Sequence, residues 1–321
     1  MNKKLLSVAV AAALVLPVTA NAGAAKVYGA VHVALQQTTT GSEDAVWDID
    51  GTSSKANKLG IKGSTDSNLM DFKAVYQFEM GLHQQNDAYF QRDTWVGLSS
   101  KTMGTVRGGT VGTAWKSNSK MVDPLFTTAL EGRGGVVGGA SSQLAGGKGT
   151  DRGRSTHTVR YDSPSIAGAK LSVNYAFADA KDNIGAGVTY KMGGMAFFGN
   201  YQTAGEDLTA TKVGAKIKMG AIGISGAYEI DGGAISQVED GEANNLYVAA
   251  TYGMGATTLI VNFGMSDDVS SDVKSGRSGF GVAVSQKLAK KVSLYAGWGS
   301  SSGDNSDDDE SALAIGMKAG F

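Results

Sequence analysis

The sequence predicts an all-β chain, a transmembrane antiparallel β-barrel of sixteen strands, and three observations carry that reading. Segments with a period of two, apolar on one face and polar or small on the other, recur every ~10–20 residues from Lys26 to the end. Glycine supplies 46 of 321 residues, roughly double its usual ~7% share, and is spread along the chain rather than gathered in a linker. The last segment sets Leu313, Ile315, Met317, Ala319 and Phe321 against Ala312, Ala314, Gly316, Lys318 and Gly320, and stops on the aromatic ring. Most domains fray at their ends, so a flush apolar end implies a terminus that is needed in place.

The segments follow in order. Residues 26–36 place Val27, Val31, Val33 and Leu35 on one face, and 58–63 come next. Residues 70–81 carry Phe72, Ala74, Tyr76 and Phe78 in phase, followed by 92–99, 105–113 and 154–162. Residues 169–178 align Leu171, Val173, Tyr175 and Phe177. The remaining strands are 184–191, 195–202, 209–218, 221–230, 244–252, 256–265, 276–287, 292–300 and 311–321. The prolines Pro17, Pro124 and Pro164 all fall outside these strands, as a fully hydrogen-bonded sheet requires. Connections alternate between short turns, such as 101–104 and 219–220, and longer polar stretches, such as 37–57, 82–91 and 114–153. Short turns on one side and long loops on the other are the pattern of outer-membrane barrels. A barrel of sixteen strands is too wide for side chains to fill and should hold water.

The N-terminus agrees with export. Met1-Asn-Lys-Lys4 is basic, Leu5 to Val18 is an apolar run, and Ala20-Asn-Ala22 offers a cleavage site. Residues 1–22 are therefore expected to be a signal peptide, and 23–321 a single barrel domain. The apolar run is shorter than the ~20 residues of a spanning helix. There is no cysteine, which excludes a disulfide scaffold and thiolate metal sites. The 29 basic and 30 acidic residues nearly balance, and no basic stripe suggests nucleic acid.

Ordered pieces of the chain carry a resemblance. They are Val27-Tyr-Gly29, Lys58-Leu-Gly-Ile-Lys-Gly-Ser64, Asp71-Phe-Lys-Ala-Val-Tyr-Gln-Phe-Glu79, Thr94-Trp-Val-Gly-Leu98 and Gly104-Thr-Val106. Arg154-Ser-Thr-His-Thr-Val-Arg-Tyr-Asp-Ser-Pro164 and Ile315-Gly-Met-Lys318 before Phe321 complete the series. Together they resemble the trimeric general porins of Gram-negative bacteria. The resemblance implies an outer-membrane homotrimer of sixteen-stranded barrels that passes ions and small hydrophilic solutes, needs no cofactor and is not an enzyme. It also implies contact with lipopolysaccharide and outer-membrane lipid, and a C-terminal Phe321 read by the barrel-assembly machinery. A barrel enzyme and a structural or adhesive barrel are the alternative readings.

The resemblance further implies an inward-folded third outer loop, 114–153, facing a basic wall. Residues alone are equally compatible with a mobile outer loop. The wall residues are Lys58, Lys62, Arg92, Arg154 and Arg160. Alternation independently turns Lys58 and Lys62 away from Leu59 and Ile61, and Arg154 and Arg160 away from Val159 and Tyr161. The facing acids, by loop location, are Asp123 and Glu131. Opposed charges across a narrow gap orient dipolar solutes and bias ion entry; the plainer reading of each is a solvated lumen charge. His32, His83 and His157 lie far apart without metal-ligand spacing, so no catalytic or metal site is expected. The late loops are acidic through Asp267, Asp268, Asp272 and the run Asp304 to Glu310, either as solvated charge or as a divalent-cation bridge to lipopolysaccharide. Tyr28, Phe72, Tyr175, Trp298 and Phe321 are expected near the membrane interfaces.

Overall fold

The computed structural model describes residues 25–49, 57–82, 89–132, 137, 153–177, 183–204, 208–232, 242–268, 276–303 and 309–321. The expected signal peptide, His83, Asp272, residues 304–308 and most of 133–152 lie outside this set. The elements are β1 (Lys26–Thr40), β2 (Val46–Ile49), β3 (Lys58–Asp66), β4 (Lys73–Leu82), β5 (Tyr89–Gln91), β6 (Thr94–Ser100) and β7 (Gly104–Gly112). Helix α1 (Ala114–Val122) follows, then β8 (Arg154–Asp162), β9 (Ala169–Ala176), β10 (Asn183–Met192), β11 (Met195–Ala204) and β12 (Leu208–Met219). The chain ends with β13 (Ile222–Gly232), β14 (Glu242–Met254), β15 (Thr257–Ser266), β16 (Arg277–Ala289), β17 (Val292–Gly303) and β18 (Glu310–Gly320).

These segments form one antiparallel sheet that closes on itself where β1 pairs with β18. They make sixteen barrel strands. β2 and β3 both pair with β1 as parts of one strand, and β5 and β6 both pair with β4. Closure is what the hydrocarbon demands, because a sheet edge there would leave backbone N–H and C=O groups without partners. Among the described residues, no helix is long and apolar enough to cross a membrane.

Alternation assigns the faces. Val31, Val33 and Leu35 of β1 and Leu313, Ile315 and Met317 of β18 are exposed on the outer surface. His32, Ala34, Ala312 and Ala314 are buried on the inner one. The outer aromatics pair edge to face, Tyr175 with Phe177 at 4.8 Å and Phe280 with Trp298 at 5.4 Å. Tyr28 departs from the expected interface position. It shares the parity of His32 and points into the barrel, where its hydroxyl donates to Glu79 Oε2 at 2.9 Å.

Two departures concern connections. β1 runs on to Thr40 and pairs with β2, so part of 37–57 is sheet rather than loop. The long connection 114–153 opens with a helix instead of irregular chain. Thr113 caps α1 by accepting from the Lys116 amide, and Trp115, Asn118, Ser119 and Val122 form its buried face. The chain from α1 to Gly132 lies against inward-facing side chains. Leu125, Ala129 and Leu130 join Ala34, Ile260, Ala283, Tyr295, Ala312 and Ala314 in one apolar cluster. Val122 and Val137 join Phe198, Ala227, Tyr247 and Ala249 in another. Glycines make the space: a Cβ at Gly297 would lie 2.6 Å from Leu130 Cδ1, and one at Gly281 would lie 3.1 Å from Val137 Cγ2.

The closing seam is tight at the end that carries the short turns. Phe321 N donates to Gly29 O at 3.2 Å and Gly29 N to Phe321 O at 3.4 Å. A Cβ on Gly29 would strike the Phe321 ring and come within 2.9 Å of Lys58 O. Gly29→Val should therefore lower the thermal unfolding midpoint of the detergent-folded barrel by about 5 °C. Gly199→Ala, whose Cβ meets only Val188 Cγ1 at 3.8 Å, should leave it unchanged. Equal midpoints for the two variants in a heat-modifiability gel would show that the seam is not packed as described.

Candidate functional site

Three of the predicted basic residues converge on a carboxylate that sequence reading overlooked. Glu79 sits on the inward face of β4 and is almost fully buried. Lys58 Nζ of β3 lies 3.1 Å from its Oε2, Arg92 Nε 2.6 Å from Oε1, and an Arg154 NH2 3.4 Å from Oε1. Arg154 Nε also reaches Asp93 Oδ2 at 3.0 Å, and Asp93 Oδ1 accepts from the Gly112 amide at 2.6 Å. Arg92 and Asp93 occupy the break between β5 and β6, which turns both side chains toward β8 and the cluster. Among the described residues this cluster brings together three cations and two carboxylates. Glu79 was detectable: it shares the inward parity of Gln77 in a strand whose other face holds Tyr76 and Phe78.

Arg160 and Lys62 stand apart from that cluster. Arg160 lies along Asp162, Nε on Oδ2 at 3.1 Å and NH2 on Oδ1 at 2.8 Å, while its other amino group donates to Gly112 O. Arg107, from β7, reaches Asp162 Oδ2 at 2.8 Å, and its guanidinium lies 5.0 Å from the Trp95 ring. Lys62 stands 5.0 Å over the Tyr28 ring, nearer the short-turn end of β3.

The acids expected on the loop are fasteners instead. Asp123 is buried and accepts from Leu125 N at 2.9 Å, Gly132 N at 3.0 Å and the Tyr247 hydroxyl at 2.8 Å. Glu131 is fully buried and accepts from Thr127 N at 2.6 Å. Thr127 holds a φ of +69°, which is strained for a β-branched residue, and the Glu131 bond fixes it there. Both acids therefore point into the packed loop. Among the described loop residues Lys120 is an exposed cation, and it lies within the field of Lys58, Glu79 and Arg92.

Further polar fasteners tie this segment to the barrel. Asn118 Nδ2 donates to Asn200 Oδ1 at 2.9 Å, and Ser225 Oγ to Val122 O at 2.6 Å. Asn262 Nδ2 donates to Leu130 O at 3.0 Å, and Lys318 Nζ to Phe126 O at 2.9 Å. Lys212 is fully buried: it donates to Ser119 Oγ at 2.5 Å, pairs with Glu229 at 3.2 Å and sits 3.9 Å over the Trp115 ring. These wall partners belong to β1 and β10–β18, and α1 also borders the inward faces of β8 and β9.

Two outcomes follow from this geometry. Removing the shared counter-charge by Glu79→Gln leaves three packed cations, and should destabilise the barrel by about 3–5 kcal/mol in denaturant titration, as breaking a buried pair does. A loss no larger than that of an exposed control, Asp66→Asn, would contradict the clustering. Burial first, and the nearby Glu131 carboxylate second, push Asp123 up to about 6. A raised acid stabilises the folded loop below its ordinary value near 4 and loses that contribution as pH rises through about 6. Hydrogen exchange of the 123–132 amides, corrected for intrinsic rate, should quicken between pH 5 and 7 in the native chain and not in Asp123→Asn. Equal pH dependence in both would sink the assignment.

Comparison with known proteins agrees with this architecture. A family model described as Gram-negative porin matches residues 7–306. The major outer membrane protein P.IB of Neisseria gonorrhoeae is 30% identical over 213 residues, which is 64% of this chain and 55% of that protein. The chain thus spans about half the length of that relative. The P.IB protein of Neisseria lactamica is 30% identical over 258 residues, 72% of this chain and 68% of its own. Among solved structures, the anion-selective porin from Comamonas acidovorans superposes with a TM-score of 0.78 at 17% identity, covering 93% of this chain and all of that one. The trimer form of OmpT from Vibrio cholerae gives 0.70 at 13% identity, over 94% of this chain and all of its own. These two likenesses speak for the fold. With a family model reaching across nearly the whole sequence and a closed sixteen-stranded barrel beneath it, the chain belongs to the Gram-negative porin family and its barrel lies in the bacterial outer membrane.

Proposed function

We propose that the chain forms a water-filled channel for passive diffusion of ions and small hydrophilic solutes, narrowed by the segment 114–132. The observation that carries it is the closed sixteen-stranded sheet, whose inward face holds the charged cluster of Lys58, Arg92 and Arg154 around Glu79 while α1 and its continuation fasten to β1 and β10–β18. Sixteen strands enclose more space than their inward side chains fill. Charges lining what remains select by sign without any chemical step. Lys62 and Arg160 extend the basic row along the same wall.

The sign is argued from the same residues. Asp123 and Glu131 are consumed inside the loop, so Lys120 faces a wall that is itself positively biased. A mild preference for anions follows, set by surplus cations along the row rather than by an acid–base field across it.

The working unit in this reading is a homotrimer, as the Vibrio cholerae OmpT structure in trimer form suggests by analogy. The exposed apolar rows ending at Phe321 are the surface that outer-membrane lipid and lipopolysaccharide would meet. Phe321, terminal and outward, is suited to recognition by the barrel-assembly machinery. The function requires no enzyme chemistry. His32 is engaged with the Tyr295 hydroxyl at 2.9 Å, which gives that histidine a structural role in the wall.

Planar-bilayer recording tests the proposal. Detergent-folded protein should insert in stable conductance steps, and a potassium chloride gradient should give a reversal potential of the sign for chloride preference. Neutralising Lys58, Arg92 and Lys120 together should move that potential toward zero. A folded barrel that never conducts contradicts the channel, and a cation preference in the native protein contradicts the charge argument.

A further inference from the structure

We propose that the recess beneath α1 is a binding site for small dianions, a class in which inorganic phosphate and short dicarboxylates share the same chemistry. The recess has a volume of ≈ 550 Å³ and lies between α1, the inward faces of β8 to β10, and the turn 163–168. Its charged lining is Lys120 of α1, Arg160 and Asp162 of β8, Lys170 of β9 and Lys191 of β10.

The charges do not cancel. Asp162 is already answered by two guanidiniums, Arg160 at 2.8 Å and Arg107 at 2.8 Å, and by the Ser172 hydroxyl at 2.6 Å. Lys170 Nζ approaches it no closer than 3.9 Å and its side chain is half exposed. Among the described residues, Lys120 and Lys191 form no ion pair. Three ammonium groups on three different elements thus border one concave, water-accessible space whose single carboxylate is spent.

Such a site prefers a doubly charged, compact oxyanion. Each lysine is a point charge with three donors on a flexible stem, able to reach an oxygen without fixed geometry. A monoanion would gain from one such contact, whereas a dianion gains from two or three at once. The recess adjoins the Glu79 cluster through Lys120, but the arginine that lines it, Arg160, is paired with Asp162 and not with Glu79. Its entry is from the lumen, so the inference rests on the channel reading.

The test uses the native chain and two double variants. Lys170→Gln with Lys191→Gln removes the recess lysines. Lys216→Gln with Lys218→Gln removes the same charge from the inward parity of β12, outside the recess. In low-salt bilayers, inorganic phosphate at a pH favouring the dianion, and succinate in a parallel arm, are titrated against potassium chloride conductance. Either should lower conductance saturably. The half-effect concentration should rise at least ~10-fold in the recess variant and stay within ~2-fold in the control. A non-saturating effect of both anions, equal shifts in the two variants, or acetate acting as strongly as succinate would overturn the site. Equilibrium dialysis of labelled phosphate against folded protein separates the two readings. A silent barrel that binds saturably keeps the site and loses the channel, and a conducting barrel that binds nothing keeps the channel and loses the site.

Discussion

The backbone of a membrane-spanning sheet has no water to turn to, and that constraint shapes this molecule. Every strand must find two neighbours, so the sheet closes through eleven residue pairs from Ala30↔Gly320 to Thr40↔Glu310. Once it closes at sixteen strands, its interior is wider than side chains can fill. What occupies that interior must come from the chain itself or from water. The segment 114–132 does part of this work, and it does so without joining the sheet.

Its attachment shows why polar and apolar contacts are used together. Leu130 and Val122 remove apolar area from water against inward-facing alanines and tyrosines. That alone would not fix a register, since such surfaces slide. Directed bonds from Tyr247, Asn262, Ser225 and Lys318 to the loop backbone and to Asp123 specify one seating. Buried carboxylates are well suited to such fastening, because one oxygen can accept several backbone amides. The same carboxylates are therefore withdrawn from the aqueous gap.

The barrel was legible in the sequence because a period of two survives at almost every strand. Leu313, Ile315 and Met317 stand out from Ala312, Ala314 and Gly316 with no structural knowledge. Lys58 and Arg154 could be turned inward by the same alternation, whereas Arg92 sits at a break that alternation does not describe. Tyr28 was misplaced because its ring suggested an interface, although its parity with His32 pointed inward. Helix α1 left a trace in the spacing of Trp115, Asn118, Ser119 and Val122, but its serines and asparagine weaken the propensity signal. Asp123 and Glu131 show the limit most clearly. A loop carboxylate can face water or accept its own backbone amides, and residue type does not distinguish the two.

The central claim is that α1 borders a water-filled passage opposite the basic wall. The absence of cysteine allows a direct measurement, with single thiols introduced into an otherwise unreactive chain. A membrane-impermeant, charged thiol reagent applied to Lys120→Cys during recording should reduce conductance within seconds of addition. The same reagent should leave the current of Val213→Cys, on the outward face of β12, unchanged. A Lys120→Cys channel whose current is indifferent to fully reacted thiol would contradict the account.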